Sequence, residues 1–120
     1  MTVYNTYRPG LIESAYEAAL QYVLLQNGFK AERQVLLPIY WNNVKLEQFY
    51  KMDLVVNDNI IIELKAVTNV ITAHRRQLWS YMNLTHCPYG MLINYSPELL
   101  YSEWYEREAD TGKINRVRLM

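Results

Sequence analysis

Asp53, Glu63 and Lys65 are the residues whose types and spacing could do chemistry; together they form the pattern D-x9-E-x-K. The stretch around them, Tyr50 to Val67, holds two apolar runs, Leu54-Val55-Val56 and Ile60-Ile61-Ile62, flanking Asn57-Asp58-Asn59. Two β-rich segments around residues that tolerate tight-turn backbone angles read as a hairpin. Strand alternation then puts Glu63 and Lys65 on one face and Leu64 on the other. Folding the hairpin carries Asp53 towards the same spot. Two carboxylates and an ammonium in such apolar strands are costly to bury unless paired or ligated. Carboxylates on adjacent strands can hold one hard divalent cation such as Mg²⁺. A lysine beside the ion could orient or help deprotonate a water, or stabilise charge developing on a phosphate. The bland alternative is a surface ion pair, Glu63 with Lys65 at a strand end, and Asp53 as a turn acid. The triple isoleucine makes a solvated edge the weaker of the two.

Two helical segments supply further groups. Glu13 shares a helical spacing with Tyr16, Glu17 and Leu20, so it could lean over the sheet towards the pair; alternatively it is a solvated acid favoured by the helix N-terminus. His74, Gln77 and Tyr81, at offsets of three and seven, line one face of a second helix, separate from Leu78 and Met82. That face could meet a phosphate, a base or the surroundings of a metal, or be plain solvated surface. Arg75 and Arg76 add the most concentrated positive charge nearby.

The elements that must position these groups follow from period and punctuation. Pro9-Gly10 opens a helix to about Asn27, with Ile12, Ala15, Ala19, Tyr22 and Val23 as its expected buried stripe and Gly28 past its end. Lys30 to Trp41 is extended, and Pro38 marks an edge position or a bulge. Asn42-Asn43 turns into a strand from Val44 to Val56, bent near Gln48; Ile60 to Val67 is the third. Thr72 is the expected N-cap of a helix to about Thr85, with Leu78, Trp79 and Met82 on its buried side. Tyr89 to Tyr95 is short, almost wholly apolar, and so an interior strand. Leu99 to Arg107 reads as a strand or a short helix, Asp110 to Lys113 as a turn, and Ile114 to Leu119 as extended. The order α-β-β-β-α-β plus an extension calls for a mixed sheet with a helix on each face.

Bulk properties narrow the class. A chain of 120 residues is one domain by expectation. Lys plus Arg and Asp plus Glu stand at 12 each, a net charge of +0 that counts mildly against tight non-specific nucleic-acid binding. One cysteine, Cys87, excludes an intramolecular disulfide and fits a reducing compartment, with the cytoplasm as default. No apolar run approaches the roughly 20 residues of a membrane span.

Several of these stretches resemble one known family. Gly10 to Tyr16 (G-L-I-E-S-A-Y) resembles the G-x-x-E-x-x-Y signature that names a group of small bacterial proteins in the PD-(D/E)XK nuclease superfamily. The likeness continues through Glu32 to Val35 (E-R-Q-V), Tyr50 to Asp53 (Y-K-M-D), Ile62 to Val67 (I-E-L-K-A-V) and His74 to Tyr81 (H-R-R-Q-L-W-S-Y), ending near Gly90 to Tyr95 (G-M-L-I-N-Y). It covers about residues 9–95. Met52 stands where the superfamily motif has its proline, and the segment beyond Pro97 matches no motif.

The resemblance implies an α/β (α+β) chain with a restriction-endonuclease-like αβββαβ core. A mixed central sheet is flanked by helices, with the core at about 9–95 and a β-rich C-terminal extension at about 96–120. It implies Asp53 and Glu63 as ligands of Mg²⁺ or Mn²⁺, the Leu64 main-chain carbonyl as a further ligand, Glu13 as an accessory acid and Lys65 as the catalytic lysine. Gln77 and Tyr81 resemble the Q-x-x-x-Y element of RecB-like members, and His74 opens that motif. The implied activity is phosphodiester hydrolysis, on DNA more than RNA. The rival is an inactive nuclease-fold module that binds nucleic acid or protein, favoured by the neutral charge and by Tyr101, Trp104 and Tyr105. So many aromatics call for residues 99–119 to pair onto the sheet edge or to form a homodimer contact.

Overall fold

A computed structural model describes residues 13–95 and 100–118; the expected helix start at Pro9-Gly10, Ile12, Leu99 and Leu119 lie outside them. The strands follow the turns. Asn42 and Asn43, both at positive φ (50° and 65°), link β1 (Ala31–Trp41) to β2 (Val44–Val56). Asn57 and Asp58, at φ 51° and 60°, link β2 to β3 (Ile60–Lys65). Asn and Asp carry these left-handed angles at little cost, because their short polar side chains bond locally. The chain then forms helix α2 (Thr72–Thr85) after helix α1 (Glu13–Gln26), followed by β4 (Tyr89–Tyr95), β5 (Leu100–Arg107) and β6 (Ile114–Val117).

Among the described residues the strands form one six-stranded sheet in chain order, β1-β2-β3-β4-β5-β6. Only β3 and β4 run parallel, joined by α2; all other neighbours are antiparallel. Pro38 sits as expected on an edge strand and beside a register shift between Pro38 and Tyr40. The segment 100–117 pairs back onto the sheet, with Tyr105 buried and Tyr101 and Trp104 half-buried. That fulfils the edge-pairing expectation for the aromatic-rich extension and decides for strand over helix.

Alternation within β3 feeds two cores. Ile62 and Leu64 join Tyr16, Leu20, Leu54, Val56, Ile93 and Tyr95 beneath α1. Ile61 faces the other way, into Leu78, Tyr81, Met82, Leu92, Val55 and Tyr105 beneath α2. Tightness on the α2 side depends on Gly90: a Cβ there would lie 2.5 Å from Met82 Sδ and 3.1 Å from Leu78 Cδ1. The close approach sets how near the polar residues of α2 come to the sheet.

Three details differ from expectation. The buried stripe of α1 is Tyr16, Glu17 and Leu20, while Tyr22 is 64% exposed. The stripe is rotated because Glu17 is buried with partners on β1, which simple apolar spacing does not anticipate. β3 ends at Lys65, not Val67, because Asn94 takes over both polar groups of Val67: its Oδ1 accepts from Val67 N–H (3.0 Å) and its Nδ2 donates to Val67 O (2.9 Å). The N-cap of α2 is Ile71, not Thr72. His74 Nδ1 accepts from the Ile71 N–H at 3.1 Å, so the side chain three residues in closes the first turn in place of a capping hydroxyl.

Candidate active site

The site forms where two strands part. Regular pairing between β2 and β3 stops at Leu54↔Ile62, and one further step sets Asp53 across from Glu63. There the rungs are no longer backbone to backbone. Asp53 N–H donates to Glu63 Oε1 at 3.2 Å, and Leu64 N–H donates to Asp53 Oδ2 at 2.8 Å. Each carboxylate spends one oxygen on the opposite strand, which holds the two acids together on the α2 side of the sheet.

Their electrostatics are unfavourable without a further partner. Glu63 is buried (2% exposed) and Asp53 half-buried. Burial, and then the neighbouring Asp53 carboxylate, push the Glu63 carboxyl up from 4.5 to about 9. Among the described residues neither acid forms an ion pair with Lys, Arg or His. Two acids in contact, one of them kept protonated for want of positive charge, make a donor set that suits a hard divalent cation.

Lys65 is half-buried, and its Nζ donates to Gln77 Oε1 at 3.0 Å. Gln77 also contacts the Tyr81 hydroxyl. Tyr81 is buried, not on a solvated face; burial and the nearby Glu63 and Asp53 push its phenol up to about 12. Its ring tilts against Tyr50 at 5.7 Å. The structure thus brings Asp53, Glu63, Lys65, Gln77 and Tyr81 into one connected patch.

Two expected members stand apart from it. Glu13 reaches the end of β3 from α1, but its Oε1 accepts from the Ala66 N–H at 3.0 Å. Among the described residues no three His, Cys, Asp or Glu side chains come together as a metal site, so Glu13 does not close around the pair. His74 is engaged at the start of α2, as above.

The sequence reading missed a second buried acid on the same face. Glu103 of β5 (1% exposed) accepts from Arg75 Nε and Nη2, both at 2.8 Å, and from the hydroxyls of Tyr101 (2.6 Å) and Tyr105 (2.5 Å). It also missed Glu17, buried at 3%, which accepts from Arg33 Nε at 3.0 Å and from Gln34 Nε2 at 2.9 Å. Gln34 sits at φ 52° beside Asp53's strand, a rare angle for its type that this contact holds in place. The signal for Glu103 was present: Tyr101, Glu103 and Tyr105 alternate on one strand face. For Glu17 it was helical phase with Tyr16 and Leu20.

Comparison with known proteins agrees with this fold. Residues 1–107 match the PD-(D/E)XK nuclease superfamily, and the chain belongs to it. A solved structure described as "Crystal structure of SSO0001" is similar in fold, with a TM-score of 0.58 at 23% identity over 73% of this chain. The likeness covers 46% of that structure's chain, about half its length. No curated protein matches. No helix among the described residues is long and apolar enough to cross a membrane.

Proposed function

We propose that this member of the PD-(D/E)XK nuclease superfamily hydrolyses phosphodiester bonds with Mg²⁺ or Mn²⁺, on DNA in preference to RNA. Asp53 and Glu63 hold the cation with the Leu64 main-chain carbonyl, and Glu13 serves as an accessory acid from α1 once it leaves the Ala66 N–H. The observation that carries this reading is the acid pair of buried Glu63 and half-buried Asp53, which makes no ion pair with Lys, Arg or His among the described residues. A family of structural acids would be expected to bring its own counter-charge, as Glu17 and Glu103 do. The Gly10 to Tyr16 stretch supports membership of the GxxExxY group, and the unpaired Cys87 suits the cytoplasm. The whole chain works as one domain, core about 9–95 with the extension 96–120.

When bound, the divalent cation supplies positive charge against the phosphate and makes a water acidic enough to attack phosphorus. Lys65 Nζ, oriented by Gln77 Oε1, donates to the phosphate oxygens as charge builds on them. Tyr81 lies beside Glu63 and Asp53, with its ring tilted against that of Tyr50. Attack forms one P–O bond and breaks another, and the departing oxygen takes up a proton.

An inactive nuclease-fold module is favoured by one observation, the engagement of Glu13 with Ala66 instead of the acid pair. Purified protein with Mn²⁺ and single-stranded, double-stranded or branched DNA, and RNA, decides between them. Metal-dependent cleavage is expected, reduced on the order of 10²–10⁴-fold in Lys65→Met. Wild type without cleavage under any metal, or Lys65→Met cleaving as well as wild type, would put the inactive module in front.

A further inference from the structure

The end of the sheet where β3 and β4 finish is also where β5 begins and β6 finishes. Lys65, Arg75, Arg76 and Arg118 belong to that end, with the acids Asp53, Glu63 and Glu103, while Arg116 stands in the row of Tyr105, Gly90 and Ile61. The opposite end carries Glu106, Glu108, Asp110, Asp58 and Glu32 together with Arg107 and Lys113, and there Lys30 is already bonded to Asp58 at 2.9 Å. Glu103 does not balance the basic end. Arg75 grips it with both nitrogens, and a second arginine, Arg116, stands 3.9 Å from the same carboxylate. Two guanidinium groups around one carboxylate leave a surplus of positive charge.

Arg116 and Arg118 alternate on β6 and therefore share a face. In register, Arg116 lies opposite Tyr105, whose hydroxyl meets Glu103 on the α2 side. Arg116 Nη2 donates to the Tyr101 hydroxyl at 3.0 Å, which fixes its stem and leaves the rest of the fork at the rim. With Arg118, Ser102, Trp104, Glu103 and Val117 it lines an open cleft of about 280 Å³. This cleft reaches the row of the acid pair, since Glu63, Leu92 and Glu103 stand in register and one step past Trp104↔Val117 sets Arg118 across from Glu103. Three strand spacings separate β3 from β6, roughly 14 Å.

Resting on the nuclease reading, we propose that Arg116 and Arg118 form a phosphate-binding wing for the nucleic-acid backbone. The wing grips the strand roughly 14 Å from the scissile phosphate, three strand spacings away. The C-terminal extension is thereby a substrate-binding element, not merely a closing edge of the sheet. Binding there is through charge and carries no base sequence.

The test measures affinity of the full chain for a single-stranded oligonucleotide by fluorescence anisotropy across salt, in a Lys65→Met background with Mg²⁺ so that the probe stays intact. Cleavage by chains with native Lys65 runs in parallel. Arg116→Ala/Arg118→Ala should weaken binding and flatten the log Kd against log salt slope by about 1.4, two phosphate contacts' worth for a single strand. In cleavage it should raise KM and leave kcat largely unchanged. Arg116→Lys/Arg118→Lys should keep the slope, which separates charge from loss of the Tyr101 contact. Arg118→Ala alone, at an exposed position, should lose about half of the effect even if the double variant folds poorly. Lys113→Ala, at the β5–β6 turn, should change nothing. A double alanine variant that keeps wild-type slope, while native-Lys65 protein cleaves, overturns the wing and leaves the nuclease standing. Arginine-dependent binding without cleavage by native-Lys65 protein overturns the nuclease and leaves the wing. Equal affinity for polyglutamate overturns the assignment to nucleic acid.

Discussion

Glu63 and Glu103 are two answers to the same physical problem. Both pair in register with Leu92, one from β3 and one from β5, so they stand in one row on the α2 side of the sheet. Both are almost fully buried, at 2% and 1% exposure. Glu103 is met by the Arg75 fork and two phenol hydroxyls, which overcome its burial and hold the carboxyl down at about 2. Glu63 meets another acid, Asp53, and is pushed up to about 9. An acid whose counter-charge is built into the chain is structural. One whose nearest charged partner is a second acid is waiting for a charge from outside.

The largest way to break that contrast is to remove each acid in turn. Glu103→Gln strands Arg75 and should destabilise the fold by about 3 kcal/mol, the cost of breaking a buried pair. For a domain of this size that lowers Tm by roughly 3–6 °C per kcal/mol. Glu63→Gln should leave the metal-free protein equally or more stable, because it removes the cost of holding a buried carboxyl protonated above its ordinary range. Comparable losses in thermal melts of the two variants would erase the distinction.

A somewhat smaller effect comes from supplying the missing charge. Mg²⁺ or Mn²⁺ binding only the folded state should stabilise wild type by about 2.7 kcal/mol at a hundred-fold excess over Kd. Asp53→Asn should show no such gain, whereas Lys65→Met should keep most of it, since lysine does not ligate the ion. Melts with and without metal decide, and an Asp53→Asn protein that gains as much as wild type removes the pair as the ligand set.

The smallest and most diagnostic effect is the pH profile of stability. Glu63 binds its proton more tightly folded than unfolded, so its contribution is present below about 4.5 and is lost as pH rises through about 9. Glu103 behaves oppositely: its contribution is present above about 4.5 and is lost as pH falls towards about 2. Metal-free protein should therefore weaken on both limbs in urea titrations, and Glu63→Gln should flatten only the alkaline one. An alkaline limb unchanged in that variant would assign the loss elsewhere.

Local chemistry was enough for much of this. Period-two alternation in Ile60 to Lys65, and the left-handed tolerance of Asn57 and Asp58, determined by themselves that Asp53, Glu63 and Lys65 would share a face. Pro38 announced an edge and a bulge, and the apolar run Tyr89 to Tyr95 an interior strand. These features depend on neighbours one to ten residues away, so the chain declares them before it folds. Tertiary structure alone decided how Glu103 is neutralised, because Arg75 lies 28 residues away on a helix whose distance from the sheet Gly90 controls. It likewise decided that α1 buries Glu17 and exposes Tyr22, since the partners Arg33 and Gln34 come from another element. Which charges meet across a sheet is set by strand order and helix docking. Those are products of the whole core's packing, and no local period encodes them.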